Sequence, residues 1–237
     1  MKLSFVIPSH NCSTWLPHAV RSCLEQTHKD IEVIIVDDGS TDLTRQYLDF
    51  IQSDERVRIL TNPTKQGRSK SRNMGNEAAK GEVICVLDAD DIAEPNRARF
   101  VADKFQGGGV QFAFGSGRVI DPDGTVLREI RSKPFDFKDA MENMTNGIIH
   151  STVAYTKEFA EKYPYSEGDI CRLGIEDWDQ QLRAVRDGVK LTAMPQFLSS
   201  YRLLDSGTVR NRDEEEVKRV KESVLVALEI PAVASVC

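Results

Sequence analysis

The feature that most constrains the fold is a run of apolar residues that ends directly in carboxylates. Residues 82–91 read Glu-Val-Ile-Cys-Val-Leu-Asp-Ala-Asp-Asp, so Asp88, Asp90 and Asp91 follow the run at once. Such a run predicts a strand that is buried on both faces, as in parallel sheets. Ligands of open α/β sheets bind at the carboxyl ends of strands, where clustered carboxylates repel one another unless a cation neutralises them. The segment therefore predicts either a divalent-cation site or a solvated acidic turn.

Three further apolar segments precede this one, and a helix-like stretch follows each of them. The strands are predicted at residues 3–7, 32–36 and 57–60. Pro17 lies near the start of the first helix, a position where proline favours helix initiation. Four alternations of strand and helix predict an α/β fold whose sheet is parallel, with helices on both faces.

Composition and charge exclude several classes of protein. The 237 residues carry a formal net charge of −6, which gives no basic face for nucleic acid. No apolar run approaches the roughly 20 residues that span a bilayer, and the N-terminal apolar segment ends at Pro8 without a signal-peptide pattern. The five cysteines are scattered and form no Cys-x-x-Cys pair, which argues against a disulfide framework and a zinc site. We expect a cytoplasmic protein that is able to contact the inner face of a membrane.

Polar segments also follow the second and third predicted strands. Asp37 and Asp38 end the second strand, where either could serve only as a helix cap or in an Asx-turn. Residues 65–73 form a basic loop with one glycine that opens the third helix, and cations at a helix N-terminus suit a phosphate. The alternative is a solvated basic face, which we favour for Lys65 and Lys70.

The pattern changes after three consecutive glycines. Extended segments are predicted at residues 111–114 and 117–120, and residues 125–130 pair back as a hairpin. Another strand is predicted at 148–154. It contains His150, and a histidine in such a strand is more often a hydrogen-bonded core residue than a ligand. The change predicts a mixed second half that completes a pocket.

An acidic pair opens a later helix. Glu176 and Asp177 precede an apolar helix face that includes Trp178, and the helix dipole alone favours acidic residues in a first turn. Extended segments follow at residues 190–194 and 197–202.

The end of the chain predicts a separate helix. Val217, Val220, Val224 and Leu228 recur at helical spacing, which gives a one-sided helix able to pack on the core or on a second copy in a homodimer. No linker or internal repeat interrupts the chain. We therefore expect one domain over residues 1–212 and a helical tail over residues 213–237.

Taken in order, the motifs resemble those of the inverting family 2 glycosyltransferases. The match runs from residue 3 to about residue 202, and its most specific segment is Val-Ile-Ile-Val-Asp-Asp-Gly-Ser-Thr-Asp at 33–42. Each motif alone is weak, whereas together and in the right order they are strong. The other matches are Val-Ile-Pro-Ser-His-Asn at 6–11, Gly67 with Arg72 and Asn73, Asp-Ala-Asp-Asp at 88–91, Glu176 with Asp177, and Tyr201 with Arg202.

The resemblance implies a GT-A fold, a Rossmann-like nucleotide-diphospho-sugar domain with a mostly parallel sheet and a mixed second half. Residues 1–106 would bind the nucleotide-sugar, and residues 107–212 would bind the acceptor. It implies a nucleotide-diphospho-sugar donor, with a UDP-sugar favoured, a hydroxyl acceptor, and Mn²⁺ or Mg²⁺ as cofactor. The implied reaction is sugar transfer with inversion, in bacterial-type surface polysaccharide, glycolipid or glycoconjugate synthesis.

The resemblance also implies roles for the residues of the donor site. Asp38 would accept a hydrogen bond from the nucleotide base, and Arg72 would contact the nucleotide. Asp88 would touch the ribose or the metal shell, and Asp90 would ligate the metal directly. Further residues expected to bind the nucleotide-sugar are Pro8, Ser9 and Gly67.

For the acceptor side, the resemblance makes Asp177 the general base that deprotonates the acceptor hydroxyl. Glu176 would orient rather than react. Weaker candidates for the sugar or acceptor pocket are His150, Trp178, Tyr201 and Arg202.

One position departs from the family pattern. Family members often carry a histidine two residues after the arginine of the late pair, whereas this chain has Leu204 there. Asp205 or a C-terminal loop could supply the missing contact, or the activity could be weak or lost. A nucleotide-sugar-binding module without turnover is therefore one alternative function. A sugar-phosphate nucleotidyltransferase is another, although it would need a glycine-rich basic loop where residues 8–11 read Pro-Ser-His-Asn.

Overall fold

The computed structural model describes residues 1–142, 147–205 and 213–228. Its strands are β1 (Leu3–Ser9), β2 (Ile31–Asp37), β3 (Val57–Thr61), β4 (Val83–Val86), β5 (Ile92–Ala93), β6 (Phe112–Ile120), β7 (Val126–Ile130), β8 (Ala154–Thr156) and β9 (Leu191–Arg202). Its helices are α1 (Leu16–Leu24), α2 (Thr44–Ile51), α3 (Arg68–Ala78), α4 (Arg97–Phe105), α5 (Phe137–Glu142), α6 (Lys157–Lys162), α7 (Asp169–Arg172), α8 (Glu176–Arg186) and α9 (Glu214–Ala227). A 3₁₀ helix spans His150–Thr152.

The strands form one sheet of order β3-β2-β1-β4-β8-β6-β9-β5, with β7 paired to β6 outside this path. The first four strands in this order, β3, β2, β1 and β4, are parallel to one another, so β1, β2 and β4 end at the same edge of the sheet. In the second half, β8 is antiparallel to both β4 and β6, whereas β9 is parallel to β6. The predicted α/β fold class with a mixed second half is confirmed.

The central strands are apolar on both sides. Helices therefore cover both faces of this sheet. Leu3, Phe5 and Ile7 of β1 pack in one core cluster with residues of α1, α2 and α4. Val6, which points to the opposite face, packs in a second cluster with residues of α3, α6 and α8. Every residue of β2 is buried, as its continuous apolar run predicts.

The prediction of a strand at residues 148–154 is wrong for the first part of this segment. The backbone forms the 3₁₀ helix over His150–Thr152, and only β8 is extended. Hydroxyl groups explain the difference, because the hydroxyl of Thr152 donates to the carbonyl of Ile149, and that of Ser151 donates to the carboxyl of Asp91. Such local bonds compete with strand pairing.

Two pairs of predicted extended segments each form one continuous strand. Residues 111–114 and 117–120 join as β6, and residues 190–194 and 197–202 join as β9, with register shifts opposite the break. Gly115 lies at this irregularity, where an added Cβ would come within 2.4 Å of Leu198 Cγ. The close approach of the two strands therefore requires glycine at this position.

The apolar face of α9 packs on its own chain. Its residues Val224 and Leu225, with Leu228, form a cluster with Trp178 and Leu182 of α8. Val217, Val224 and Leu228 are thus buried within one chain, whereas Val226 of the same helix is exposed. The homodimer through this helix stays a prediction. In the described part of the chain, no helix has both the length and the apolar character needed to cross a membrane.

Candidate active site

The site is centred on a buried arginine that joins two halves of the chain. Arg72 of α3 donates from Nη1 to Glu176 Oε1 at 2.7 Å and from Nη2 to Asp88 Oδ1 at 2.6 Å. Burial lowers the pKa of Arg72, but the carboxylates of Asp88 and Glu176 outweigh burial and raise it well above its usual value. The guanidinium also lies 5.3 Å from the ring centre of Tyr165. One charge-assisted bridge therefore brings the end of β4 next to the start of α8.

Asp91 belongs to the fold rather than to the ligand set. It is fully buried, and its carboxyl group accepts from the backbone N–H of Arg202 at 2.8 Å and from the hydroxyl of Ser151. Burial, with the neighbouring carboxylates of Asp90 and Asp88, raises the pKa of Asp91 well above its usual value. The side chain ties β9 and the 3₁₀ helix to the end of β4.

Asp88 and Asp90 carry the two remaining carboxyl groups of the acidic segment. Burial and the Asp88 carboxylate raise the pKa of Asp90 to about 6. Among the described residues, no group of three or more His, Cys, Asp or Glu side chains is arranged to hold a metal ion. Mg²⁺ and similar cations commonly take one or two carboxylates and complete their shell with substrate phosphates and water. Two adjacent, mutually repelling carboxyl groups fit a cation of that kind.

Asp38 organises the loop that leads into α3. Its Oδ1 accepts from Asn62 Nδ2 at 2.7 Å and from the N–H of Gln66 at 2.8 Å, and its Oδ2 accepts from the N–H of Gly67 at 2.8 Å. Burial raises the pKa of Asp38, but these hydrogen bonds outweigh it and lower the pKa below its usual value. Gly67 has φ of 96°, which glycine adopts without strain. The predicted contact of Asp38 with a nucleotide base stays a prediction.

Asp37 stabilises the turn after β2, which is the local kind of role that the sequence analysis considered for it. Its Oδ1 accepts from the N–H of Ser40, three residues on, at 3.0 Å, a cap-like local hydrogen bond in the turn after β2.

Pro8 and Ser9 lie at the end of β1 beside Asp38. The N–H of Asp38 donates to the carbonyl of Ser9 at 2.8 Å. The hydroxyl oxygen of Ser9 is buried and has no hydrogen-bond partner in the described part of the chain. Pro8 and Ser9 are therefore placed at the edge of the sheet where β2 and β4 also end.

The acidic pair at the start of α8 divides into two environments. The Glu176 side chain is 4% exposed and engaged by Arg72, whereas the Asp177 side chain is 22% exposed. Burial raises the pKa of Glu176 despite the nearby Arg72. Asp177 Oδ1 accepts from the N–H of Trp178 at 2.8 Å. Of the two, Asp177 is thus the carboxylate that is partly exposed to solvent.

The weaker candidates for the sugar or acceptor pocket lie in different environments. His150 lies beside Asp177 with its side chain 11% exposed, and its Nε2 is 3.1 Å from the hydroxyl of Tyr165. Trp178 is 2% exposed, and its Nε1 donates to the carbonyl of Ala140 at 3.1 Å, so it packs α8 on its neighbours and does not open into a pocket. Tyr201 is half-buried on β9, opposite Val119 of β6.

Arg202 is buried and acts on the backbone around the acidic segment. Its guanidinium donates to the carbonyls of Asp90, Asp121 and Pro122 at 3.0, 3.1 and 2.7 Å. It also lies 4.5 Å from the ring centre of Trp15. Arg202 therefore holds the segment that carries Asp90 and does not face an open pocket.

One residue of the site was not predicted from the sequence, and one predicted segment lies outside the described residues. Tyr165 contacts both Arg72 and His150, yet no motif around it indicated this role. Leu204 and Asp205 end a described segment, and the C-terminal loop that was a candidate to replace the missing histidine lies outside the described residues.

Comparison with models of known protein families identifies the family of this chain. The family model described as Glycosyl transferase family 2 matches residues 4–163, more than half of the chain. The chain therefore belongs to glycosyl transferase family 2.

Individual relatives and structures resemble the chain over different lengths. Glycosyltransferase GlyG of Streptococcus pneumoniae serotype 4 is 43% identical over 95 residues, which are 40% of this chain and 32% of GlyG. The Escherichia coli UDP-Glc:alpha-D-GlcNAc-diphosphoundecaprenol beta-1,3-glucosyltransferase WfgD is 26% identical over 216 residues, which are 90% of this chain and 81% of WfgD. The matched segment thus spans about a third of GlyG and most of WfgD.

The crystal structure of S. aureus TarS 1-349 in complex with UDP has a TM-score of 0.75 to this chain at 16% identity. The superposition covers 98% of this chain and 66% of the TarS chain. At this identity the likeness concerns the fold, and it confirms the predicted GT-A-type architecture.

Proposed function

We propose that this chain transfers a sugar from a nucleotide-diphospho-sugar to an acceptor hydroxyl, with inversion at the anomeric carbon. The observation that carries the proposal is the bridge from Asp88 through Arg72 to Glu176. It places the acidic end of β4 beside the first turn of α8, where Asp177 lies. The reaction needs carboxylates that hold a cation next to the leaving diphosphate and another carboxylate that deprotonates the attacking hydroxyl. These groups must lie on opposite sides of the same sugar.

The donor in this proposal is a UDP-sugar. WfgD is named as a UDP-Glc-dependent enzyme, and TarS has been crystallised with UDP and with UDP-GlcNAc. In this chain, Ser9 with its buried hydroxyl and the ordered loop held by Asp38 lie at the ends of β1 and β2. That edge of an α/β sheet is where nucleotides bind.

The cofactor in this proposal is Mn²⁺ or Mg²⁺, held by Asp90 with Asp88 at its side. When bound, the cation would neutralise the departing diphosphate as a Lewis acid. Arg72 keeps one oxygen of Asp88 occupied, so Asp90 would be the direct ligand. Arg202 holds the backbone carbonyl of Asp90 and so fixes where its side chain begins.

The general base in this proposal is Asp177. It removes the proton of the acceptor hydroxyl as that oxygen attacks the anomeric carbon from the face opposite the diphosphate. Glu176 does not take part in proton transfer, because its carboxylate is buried against Arg72. It instead holds the first turn of α8 against α3.

The acceptor in this proposal belongs to bacterial surface polysaccharide synthesis. The name of WfgD describes an acceptor sugar linked through diphosphate to undecaprenol. A lipid-linked acceptor of this kind would place the reaction in the cytoplasm at the inner face of the membrane.

The test is release of UDP from UDP-Glc and from UDP-GlcNAc in the presence of Mn²⁺ and a lipid-linked acceptor. Asp177→Asn should lower the rate about a hundred- to ten-thousand-fold, the usual contribution of a general base, with UDP affinity changed by at most a few-fold. Asp169→Asn, at the start of α7 and 68% exposed, is the matched control and should leave the rate unchanged.

Two results would replace the proposal with an alternative. Binding of UDP with Mn²⁺ but no turnover in the wild type, with a lipid-linked acceptor supplied, would indicate a binding module. Formation of UTP from the UDP-sugar and pyrophosphate would instead indicate a nucleotidyltransferase.

A further inference from the structure

A largely buried histidine beside the proposed base has one ring nitrogen that makes no hydrogen bond in the part of the chain that the structure describes. His150 Nδ1 is buried and makes no hydrogen bond with any described residue. It lies 4.0 Å from Asp177 Oδ2, while the other nitrogen, Nε2, lies 3.1 Å from the hydroxyl of Tyr165. Buried polar atoms are almost always hydrogen-bonded, so an orphaned nitrogen that faces a carboxylate requires an explanation.

The backbone around His150 is fixed on both sides. Ser151 donates to the carboxyl group of Asp91, and the hydroxyl of Thr152 both donates to the carbonyl of Ile149 and accepts from the N–H of Gly115. The imidazole packs edge-on against the ring of Tyr165, with ring centres 5.6 Å apart. The backbone that carries the imidazole is therefore fixed by the fold, and the ring is held next to Asp177.

A chain of hydrogen bonds determines which nitrogen of His150 carries the proton. Asn76 Nδ2 donates to the hydroxyl of Tyr155 at 3.1 Å, and the hydroxyls of Tyr155 and Tyr165 are 3.1 Å apart. If each hydroxyl donates to the next group, Tyr165 donates to Nε2, and the proton of the neutral imidazole lies on Nδ1.

The opposite direction of the chain is less favourable. It would use the longer 3.3 Å contact from the Tyr155 hydroxyl to Asn76 Oδ1. It would also leave a lone pair on Nδ1 facing the carboxylate of Asp177, which is electrostatically repulsive. Burial, followed by the charge of Arg72, lowers the pKa of His150 to about 4, so the ring is neutral at pH 7 and has only one N–H to place.

We propose that His150 is a positioning residue for the general base, donating its Nδ1–H to Asp177 Oδ2. The inference rests on the proposed function, in which Asp177 is that base. A carboxylate oxygen has two lone pairs, so a bond to one of them directs the other toward the acceptor hydroxyl. The proton on Nδ1 stays on the histidine throughout, and the acceptor proton goes to Asp177. The 4.0 Å separation shortens when the acceptor is bound, since catalytic hydrogen bonds often tighten only in the substrate complex.

Two substitutions at His150 separate the two nitrogens. The amide nitrogen of asparagine reaches the place of Nδ1, whereas the amide of glutamine reaches the place of Nε2. His150→Gln should lower kcat for UDP release about tenfold, the equivalent of one hydrogen bond to a charged group, with KM for the UDP-sugar unchanged within about twofold. His150→Asn should keep kcat within about threefold of wild type, because it keeps the donor to Asp177.

A second pair of variants tests the tyrosine chain if His150→Gln does not fold. Tyr165→Phe removes the group that donates to Nε2 and should lower kcat about three- to tenfold, since the imidazole can then adopt the other tautomer. Tyr155→Phe, one step further from the histidine, is the matched control and should have the smaller effect on kcat. Equal loss of kcat in both variants, or in His150→Asn and His150→Gln, would overturn the proposal.

The tautomer can be measured without any turnover. In the full-length protein with ¹⁵N-labelled histidine, the ring signals of His150 are the ones missing from His150→Asn. Long-range ¹H–¹⁵N spectra should show the proton on Nδ1 in the wild type and a shift toward Nε2 in Tyr165→Phe. A proton on Nε2 in the wild type would overturn the role of His150 and leave Asp177 as the base. Full activity of Asp177→Asn would overturn the proposed function itself, whatever the tautomer.

Discussion

Arg72 and Glu176 stand 104 positions apart in the sequence and are joined by a buried hydrogen bond of 2.7 Å. Arg72 comes from the half that holds the nucleotide in our proposal, and Glu176 from the half that holds the acceptor. A buried ion pair contributes little net stability, but removing one partner leaves an uncompensated charge in the interior. The pair therefore makes the relative position of the two halves sensitive to a single side chain.

The first prediction concerns this pair. Arg72→Met should lower the free energy of unfolding by about 3–5 kcal/mol, because Glu176 and Asp88 then lose the buried cation that hydrogen-bonds to both. Adding Glu176→Gln should cost less than the sum of the two single changes, as expected for residues in direct contact. Urea unfolding of the two single variants and the double variant measures the coupling.

The control for this cycle is Arg172→Met. Arg172 pairs with Glu216 on the surface, and its side chain is 54% exposed, so its loss should cost less than about 1 kcal/mol. Additive effects of the Arg72 and Glu176 substitutions would show that the bridge does not act as a unit.

The second prediction concerns Asp90. Its folded-state pKa of about 6 lies above the usual value of a carboxyl group, so the folded protein favours the protonated form. This contribution to stability is present below about pH 4 and is lost as the pH rises through 6. Asp90→Asn should therefore raise the free energy of unfolding of the metal-free protein at pH 7.5 by roughly 1–3 kcal/mol.

The same substitution should remove the response to ligands. Mn²⁺ with UDP should raise the melting temperature of the wild type, because a ligand of the native state stabilises it, but not that of Asp90→Asn. Asp123→Asn, in the exposed turn between β6 and β7, serves as the control and should behave as wild type. An equal rise in melting temperature for wild type and Asp90→Asn would remove Asp90 from the metal site.

The third prediction concerns the contact between α8 and α9. Leu225→Ala should lower the free energy of unfolding by about 2–5 kcal/mol, because Leu225 is buried in the cluster that contains Trp178. Val226→Ala, the next residue and 73% exposed, should change it by less than about 0.5 kcal/mol. Denaturant unfolding followed by tryptophan fluorescence checks both values. Similar losses for the two variants would mean that α9 does not pack as described.

The sequence predicted those parts of the molecule that depend on local patterns. The apolar runs that end in Asp37 and Asp88 marked β2 and β4, because a strand covered on both faces needs a continuous apolar segment. The start of α8 at Glu176 was also predicted, since acidic residues favour a first helical turn. These signals lie within a few residues of the structure they determine.

Other parts depend on partners that are distant in sequence. Ser151 forms the 3₁₀ helix with the help of Asp91, 60 positions away, so its segment looked like a strand from its β-branched residues alone. Tyr165 reaches both Arg72 and His150 only because the chain folds back at that point. Trp178 was placed on an apolar helix face, but its sequence did not indicate that α9 would cover it.

The packing of α9 has a consequence for synthesis of the chain on the ribosome. Domains generally fold from the N-terminus as they emerge, and α8, which begins with Glu176 and Asp177, emerges well before α9. Until Val224, Leu225 and Leu228 have left the exit tunnel, Trp178 and Leu182 lack their cover. The helix that presents the proposed base thus keeps an exposed apolar face until α9 emerges, and a ribosome that stalls between the codons of α8 and those of α9 would hold a nascent chain in that state.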